Sequence, residues 1–221
     1  MGQALSKDAV VAVIGAGAMG AGIAQIAAQA GHSVRLLDAQ PGAAAQAIER
    51  IRATFGKLAE KGKLSVEAAV AAGERLSSAV SQAELAGAAL VVEAIVERLD
   101  VKRGLFAELQ SIVAPDCILA TNTSSISVTA IAAGLKHPGR VVGMHFFNPA
   151  PLMALVEVVS GLATDPAVAA TTHDTALAWG KKPVHTSRRR ASSSTAWRGR
   201  TTAKRCDCCT SRRPTPRRST P

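Results

Sequence analysis

The chain has 221 residues, with 26 Lys and Arg against 16 Asp and Glu, a formal net charge of +10. The excess sits at one end: residues 187–221 hold ten Arg, Lys204 and only Asp207, whereas residues 1–186 carry 15 charges of each sign. A neutral first part removes the net-charge reason to expect a nucleic-acid partner there, and the tail, which has no Val, Ile, Leu, Met or Phe, buries too little apolar surface to offset its ordering entropy and is expected to be disordered.

Residues 1–186 are long enough for one sizeable domain. The start, MGQALSKDAVVAVIGAG, lacks a basic leader with a small-residue cleavage site, and no apolar run reaches about 18 residues. A cytoplasmic protein with no membrane span is expected. Residues 10–14 are apolar and β-branched and end in a glycine-rich turn, as a buried parallel strand does. A helix over 19–30 follows, with Gly31 placed for a left-handed C-terminal cap. Residues 33–37 read as a second strand ending at Asp38. Two helices, 41 to about 61 and 64–73, form an excursion longer than a plain crossover needs. Further strands are expected at 90–92, 117–120, 140–144 and 155–159, and helices at 101–113, 128–133 and 165–179, the last begun by Thr164 as N-cap. Strand and helix alternate, which predicts an α/β fold with a mostly parallel, doubly wound sheet of Rossmann type. Cys117 stands in a strand-like run and reads as a small buried hydrophobe. Cys206, Cys208 and Cys209 lie in the tail with no following His, so no metal site and no disulfide framework are expected.

Gly15-Ala16-Gly17-Ala18-Met19-Gly20 spells G-x-G-x-x-G. Alone the pattern is weak, but here it follows a strand, opens a helix and precedes an acidic residue, Asp38, at the end of the next strand. Gly15 allows the tight turn, Gly17 lets a pyrophosphate approach the backbone, and Gly20 lets helix and strand pack closely. The helix start offers amide donors to phosphate. Asp38 would accept ribose hydroxyls and repel a 2′-phosphate, which favours NAD over NADP; no Arg directly follows it to hold that phosphate.

Two polar segments follow apolar strands: Thr121-Asn122-Thr123-Ser124-Ser125 and His145-Phe146-Phe147-Asn148-Pro149. Ligands in open α/β sheets bind beyond the carboxyl ends of strands, so both segments should border one crevice. Glu157 lies among Leu155, Val156, Val158 and Val159, where a carboxylate needs a partner, and His145 is the economical one. The competing reading is a surface strand with Glu157 facing water.

Residues 8 to about 186 resemble the 3-hydroxyacyl-CoA dehydrogenases, including 3-hydroxybutyryl-CoA and phenylacetate-degradation enzymes. The resemblance is carried by VAVIGAGAMGAGIAQIAAQAGHSVRLLD, LVVEAIVERLDVKRGLFAEL, ATNTSSISV and GMHFFNPAPLMALVEVV. It implies a NAD-binding domain that oxidises a 3-hydroxyacyl-CoA thioester, with His145 as general base, Glu157 orienting its ring and Ser124 bonding the substrate oxygen. It further implies cofactor contacts from Asp38, Glu97, Lys102 and Asn148, and coenzyme A contacts from Thr54 and Lys61; Thr54 replaces the family's Ser and keeps the hydroxyl.

After residue 186 the resemblance stops. The family continues with a motif like STPGFIVNRV and an all-helical domain that covers the substrate and forms a homodimer, whereas this chain reads SRRRASSSTAWRGRTTAKRCDCC. Codons chosen for the string from Ala191 onward, moved by one base, read FIVNRVARPYYGEALRLL. Residues 187–221 are therefore expected to be an out-of-frame translation, with Thr195 where the family has its catalytic Asn, and this form is expected to bind NAD but turn over poorly. The alternatives are a NAD-binding module with a genuine Arg-rich nucleic-acid-binding tail, and a β-hydroxyacid dehydrogenase acting on free acids. No specific nucleic-acid site is expected.

Overall fold

The computed structural model describes residues 3–187. Residues 188–221 lie outside the described residues, and with them the expectations about the basic tail, its cysteines, Thr195 and the shifted reading frame.

Eight strands, β1 (Val10–Ile14), β2 (Val34–Leu37), β3 (Leu76–Ser78), β4 (Ala88–Glu93), β5 (Ile118–Thr121), β6 (Val141–Phe146), β7 (Leu155–Ser160) and β8 (Lys182–Ser187), form one sheet in the order β3-β2-β1-β4-β5-β6-β7-β8. The first six run parallel; β7 is antiparallel to β6, and β8 is parallel to β7. Alternation along β1 divides two cores. Val11 and Val13 pack with Ile23 of α1 (Ala18–Ala30), Ile48 and Phe55 of α2 (Ala43–Glu60), Ala72 of α3 (Val66–Glu74) and Ala176 of α6 (Pro166–Ala178). Ala12 and Ile14 face the opposite way, toward Phe106 of α4 (Leu99–Leu109) and Ile131 of α5 (Val128–Ala132). Helices on both faces make the sheet doubly wound. The strand order reverses between β1 and β4, which places the ligand crevice beyond their carboxyl ends.

The strand ends are staggered. Ile14 pairs with Glu93, Glu93 with Thr121 and Thr121 with Gly143, but β6 runs three residues further to Phe146. Strands β6, β7 and β8 therefore stand above the ends of β1, β4 and β5 as a wall about 10 Å high at roughly 3.3 Å per residue.

Three details differ from expectation. Thr164 does not cap α6: the Asp165 carboxylate accepts the Ala167 amide at 2.7 Å and Pro166 takes the first turn, where its missing N–H costs nothing. The Thr164 hydroxyl instead donates to the Val141 carbonyl at 2.6 Å and accepts the Gly161 amide at 2.8 Å. Strands β3 and β8 were not expected. In β3 only Leu76 is buried, and β8 (KPVHTS) has no apolar run and places Pro183 on a sheet edge, so neither has a readable period. The long helix starts at Ala43 because Gly42 sits in the left-handed region at φ +79°.

Candidate functional site

Gly15 leaves β1 at φ +104°, and a Cβ there would lie 2.5 Å from the Ala94 carbonyl oxygen. A Cβ on Gly20 would fall 1.8 Å from the Gly15 carbonyl oxygen, so the first turn of α1 rests directly on the loop. Gly17 is the opposite case. Nothing lies within 4 Å of its missing Cβ, and it caps α1 without a side chain. Open space beside bare backbone at a helix start is the cradle a pyrophosphate needs. Asp38, half-buried at the end of β2, is fixed by amides: Oδ2 accepts from Ala16 at 2.6 Å and Oδ1 from Gln40 at 2.8 Å. Arg35 donates to the Glu84 carbonyl. Beside Asp38 opens a cavity of about 470 Å³ lined by Ile14, Leu37, Gln82, Ile95 and Val101 among others. Apolar walls next to a carboxylate suit an adenosine, base against the walls and ribose at the acid.

On the other side of the switch point lies a buried polar network that the sequence reading reached only in part. Glu93, fully buried at the end of β4, accepts from the Lys102 ammonium at 2.6 Å and the Ile95 amide at 2.8 Å through Oε1, and from the Thr121 hydroxyl at 2.7 Å through Oε2. Lys102, only 1% exposed on α4, also lies 3.4 Å from Glu97 Oε2. Glu97 receives the Thr123 hydroxyl and, at 2.9 Å, the Ser125 hydroxyl. Partial burial works against its charge, but these hydroxyls and the ammonium outweigh it and draw its pKa down to about 2. Glu93 was missed; an acid closing an apolar strand beside the glycine loop's neighbour was the available signal.

On the wall, His145 of β6 and Glu157 of β7 are directly paired across the antiparallel ladder, with Nδ1 3.0 Å from Glu157 Oε2. Glu157 keeps 38% of its side chain exposed, so it faces water in part, as the competing reading had it, while it pairs with His145. A carboxylate accepts only, so Nδ1 carries the hydrogen and Nε2 keeps its lone pair. The Phe147 ring lies 4.7 Å from the imidazole, centre to centre. Ser124 is exposed after β5 and lines a cavity of about 150 Å³ together with Glu157, Thr123 and Val159. Asn148 is exposed in the turn beyond β6. Asn122, in the polar segment expected at the crevice, accepts the Phe146 amide at 2.8 Å and ties the wall to the end of β5.

Thr54 and Lys61 lie elsewhere, on α2. The Thr54 hydroxyl donates to the Arg50 carbonyl one turn back at 2.8 Å, and exposed Lys61 caps the helix. Seven residues are two helical turns, so the two positions share a face. Cys117 is buried before β5, and that burial pushes its thiol up to about 12. Among the described residues no group of three or more His, Cys, Asp or Glu could hold a metal, and no helix is long and apolar enough to cross a membrane.

Residues 10–189 match the profile of the 3-hydroxyacyl-CoA dehydrogenase NAD-binding domain. The chain is 52% identical over 174 residues to 3-hydroxyadipyl-CoA dehydrogenase of Escherichia coli K12, covering 79% of this chain and 37% of that one. A probable 3-hydroxybutyryl-CoA dehydrogenase of Bacillus subtilis is 43% identical over 79% of this chain and 61% of its own length. The crystal structure of a 3-hydroxybutyryl-CoA dehydrogenase from Escherichia coli K12 superposes with a TM-score of 0.80 at 50% identity, over 83% of this chain and 39% of that one. The chain thus spans between about a third and two thirds of the length of these relatives. The family profile covers most of the chain, and the chain belongs to the 3-hydroxyacyl-CoA dehydrogenase family through its NAD-binding domain.

Proposed function

We propose that the chain is the cofactor-binding half of an NAD-dependent 3-hydroxyacyl-CoA dehydrogenase. The observation that carries the reading is the His145–Glu157 pair, held at 3.0 Å on a wall that rises beside the nucleotide crevice. NAD, when bound, supplies the hydride acceptor. Gly17 gives its phosphates access to bare backbone, Asp38 accepts the adenosine ribose hydroxyls and disfavours a 2′-phosphate, and Glu97 and Asn148 border the nicotinamide side, while buried Lys102 acts through its pairing with Glu97. His145 Nε2 takes the proton from the substrate 3-hydroxyl as the C3–H bond gives up its electron pair, leaving a 3-oxo group. Glu157 holds the ring in the useful tautomer and stabilises the imidazolium. Ser124 donates to the substrate oxygen, and Thr54 and Lys61 contact coenzyme A. The 3-hydroxyacyl-CoA substrate and the homodimer belong to this proposal, as does the soluble, cytoplasmic setting.

The domain reading follows: residues 1–186 bind NAD, and residues 187–221 add nothing to the site. Turnover needs a cover that excludes water from the reacting atoms, which this wall alone does not provide. In the test, NAD binding is measured by calorimetry and 3-hydroxybutyryl-CoA oxidation by NADH absorbance, for this chain and for one continued in the shifted frame. NAD binding by both, with turnover only in the second and lost on His145→Gln, is the expected result. Turnover by this chain in the ordinary range of about 1–10³ per second would refute the division of labour, and absence of NAD binding would refute the reading itself.

A further inference from the structure

The wall that carries His145 is held by a side chain that the roles above leave unused. Strand β5 pairs with β6 as far as Thr121 opposite Gly143, and β6 then runs on to Phe146, paired with β7. Amides alternate in direction along a strand, so an amide of β6 that points toward β5 loses its backbone acceptor where β5 stops. Phe146 carries such an amide, and at 2% exposure the residue has little access to water. Asn122 replaces the missing strand: its Oδ1 accepts the Phe146 amide at 2.8 Å. The atom that meets an N–H must be the carbonyl oxygen, which settles the orientation of the Asn122 amide. Asn122 is anchored in turn, because its own backbone amide donates to the Glu93 carbonyl at 2.8 Å and so continues the ladder to β4. A line of hydrogen bonds therefore runs from the buried end of β4 through Asn122 to the residue next to His145.

We propose that Asn122 is a positioning residue for the general base: by holding the Phe146 amide it fixes the tip of β6, so that the imidazole keeps Nδ1 on Glu157 and leaves Nε2 as the acceptor. The proposal rests on the reading of His145 as the base and deepens it. Pairing with β7 sets which residue faces Glu157, but a strand held along one edge twists more freely than one held along both. The contact between Nδ1 and Glu157 Oε2, at 3.0 Å, leaves little slack for such twisting. Asn122 acts on the ring through the backbone of Phe146.

The test pairs two measurements. In the 221-residue chain, nitrogen–proton correlation spectra at about pH 8, where an ordinary imidazole is neutral, report which nitrogen of His145 carries the hydrogen, and His145→Gln identifies its signals. The unaltered chain should show the Nδ1–H form. Asn122→Leu, of similar size but with no acceptor, should shift it toward a mixture with the Nε2–H form, and Asn122→Asp, which keeps an oxygen at the same reach, should restore it. In the chain continued in the shifted frame, Asn122→Leu should lower kcat for 3-hydroxybutyryl-CoA roughly 10- to 100-fold while the KM for NAD changes less than about threefold, and Asn122→Asp should recover most of the loss. If Asn122→Leu does not fold, Asn122→Ser takes its place; its hydroxyl falls short of the Phe146 amide and leaves room for a water. A His145 ring and a kcat unaltered by these replacements, or an Asn122→Asp no better than Asn122→Leu, overturn the inference and leave His145 as the base. Turnover that survives His145→Gln removes the base reading, and the inference with it.

Discussion

Removing the Lys102 ammonium should cost more than removing the whole ion pair. Lys102 and Glu93 are 1% and 0% exposed at the side chain and 2.6 Å apart. In Lys102→Met the methionine fills most of the lysine's volume, but Glu93 keeps a carboxylate away from water with only the Thr121 hydroxyl and the Ile95 amide to balance it. Breaking one side of such a pair costs about 3–5 kcal/mol. With a urea slope near 3 kcal/mol per molar, the unfolding midpoint should fall by roughly 1–2 M. In the double variant Lys102→Met, Glu93→Gln the charge is gone, and the amide can keep both partners, its oxygen accepting from Ile95 while its NH2 donates to the Thr121 hydroxyl. Much of the loss should return, leaving about 1 kcal/mol or so of deficit. Urea unfolding followed by circular dichroism at pH 7 measures all four corners of this double-mutant cycle. A single variant that loses less than about 1 kcal/mol would show that the pair is effectively solvated. A double variant no better than Lys102→Met would show that packing, not uncompensated charge, sets the cost. Either result refutes the reasoning.

Other expectations are smaller in scope. Gly20→Ala forces a carbon to 1.8 Å from the Gly15 carbonyl, backbone against backbone, so α1 must move off the loop and NAD affinity should fall by more than tenfold; unchanged calorimetric affinity would contradict the cradle. Glu97, with a folded pKa of about 2 against an ordinary 4.5, lends stability that is complete above pH 4.5 and is lost as pH falls toward 2. Because that side chain is 42% exposed the effect is modest, and Glu97→Gln should flatten this part of the acid-unfolding curve. Lys181→Met removes the donor that meets the carbonyls of Ala150, Pro151 and Met153 at 2.7, 3.4 and 3.0 Å. A loss of about 1–3 kcal/mol is expected, with faster hydrogen exchange at Leu152 and Met153 while β1, β4 and β5 keep their protection.

The legible parts of the fold are those where one residue type answers one physical demand. The run 10–14 and the glycine turn with Asp38 beside it could be read directly, because a buried strand, a left-handed turn at Gly15 and a close helix contact at Gly20 each restrict the residue that serves. His145 and Glu157 were readable as a pair from a carboxylate standing in an apolar run. What stayed hidden depends on partners distant in sequence. Glu93 is one acid among many until Lys102 and Thr121 are brought to it from α4 and β5. Lys181 reads as a surface lysine until three carbonyls from thirty residues earlier surround it. Edge strands such as β3 and β8 are held by pairing along the backbone, which leaves little trace in side chains.

The height of the wall sets a mechanical condition on the histidine it carries. A sheet that projects past its neighbours is a beam clamped at its foot, and the sway of such a beam grows steeply with distance from the clamp. His145 stands near the tip, one residue below the last of β6. The tip is nevertheless propped. Lys181 grips the turn beyond β6, and that turn abuts α1 at Gly22, where a Cβ would come within 3.1 Å of Ala150 and 3.0 Å of Pro151. A beam supported at both ends bends far less than one held at a single end. The steadiness of the imidazole is thus expected to depend on the turn 149–153, which Lys181 holds from one side and Gly22 lets α1 approach from the other.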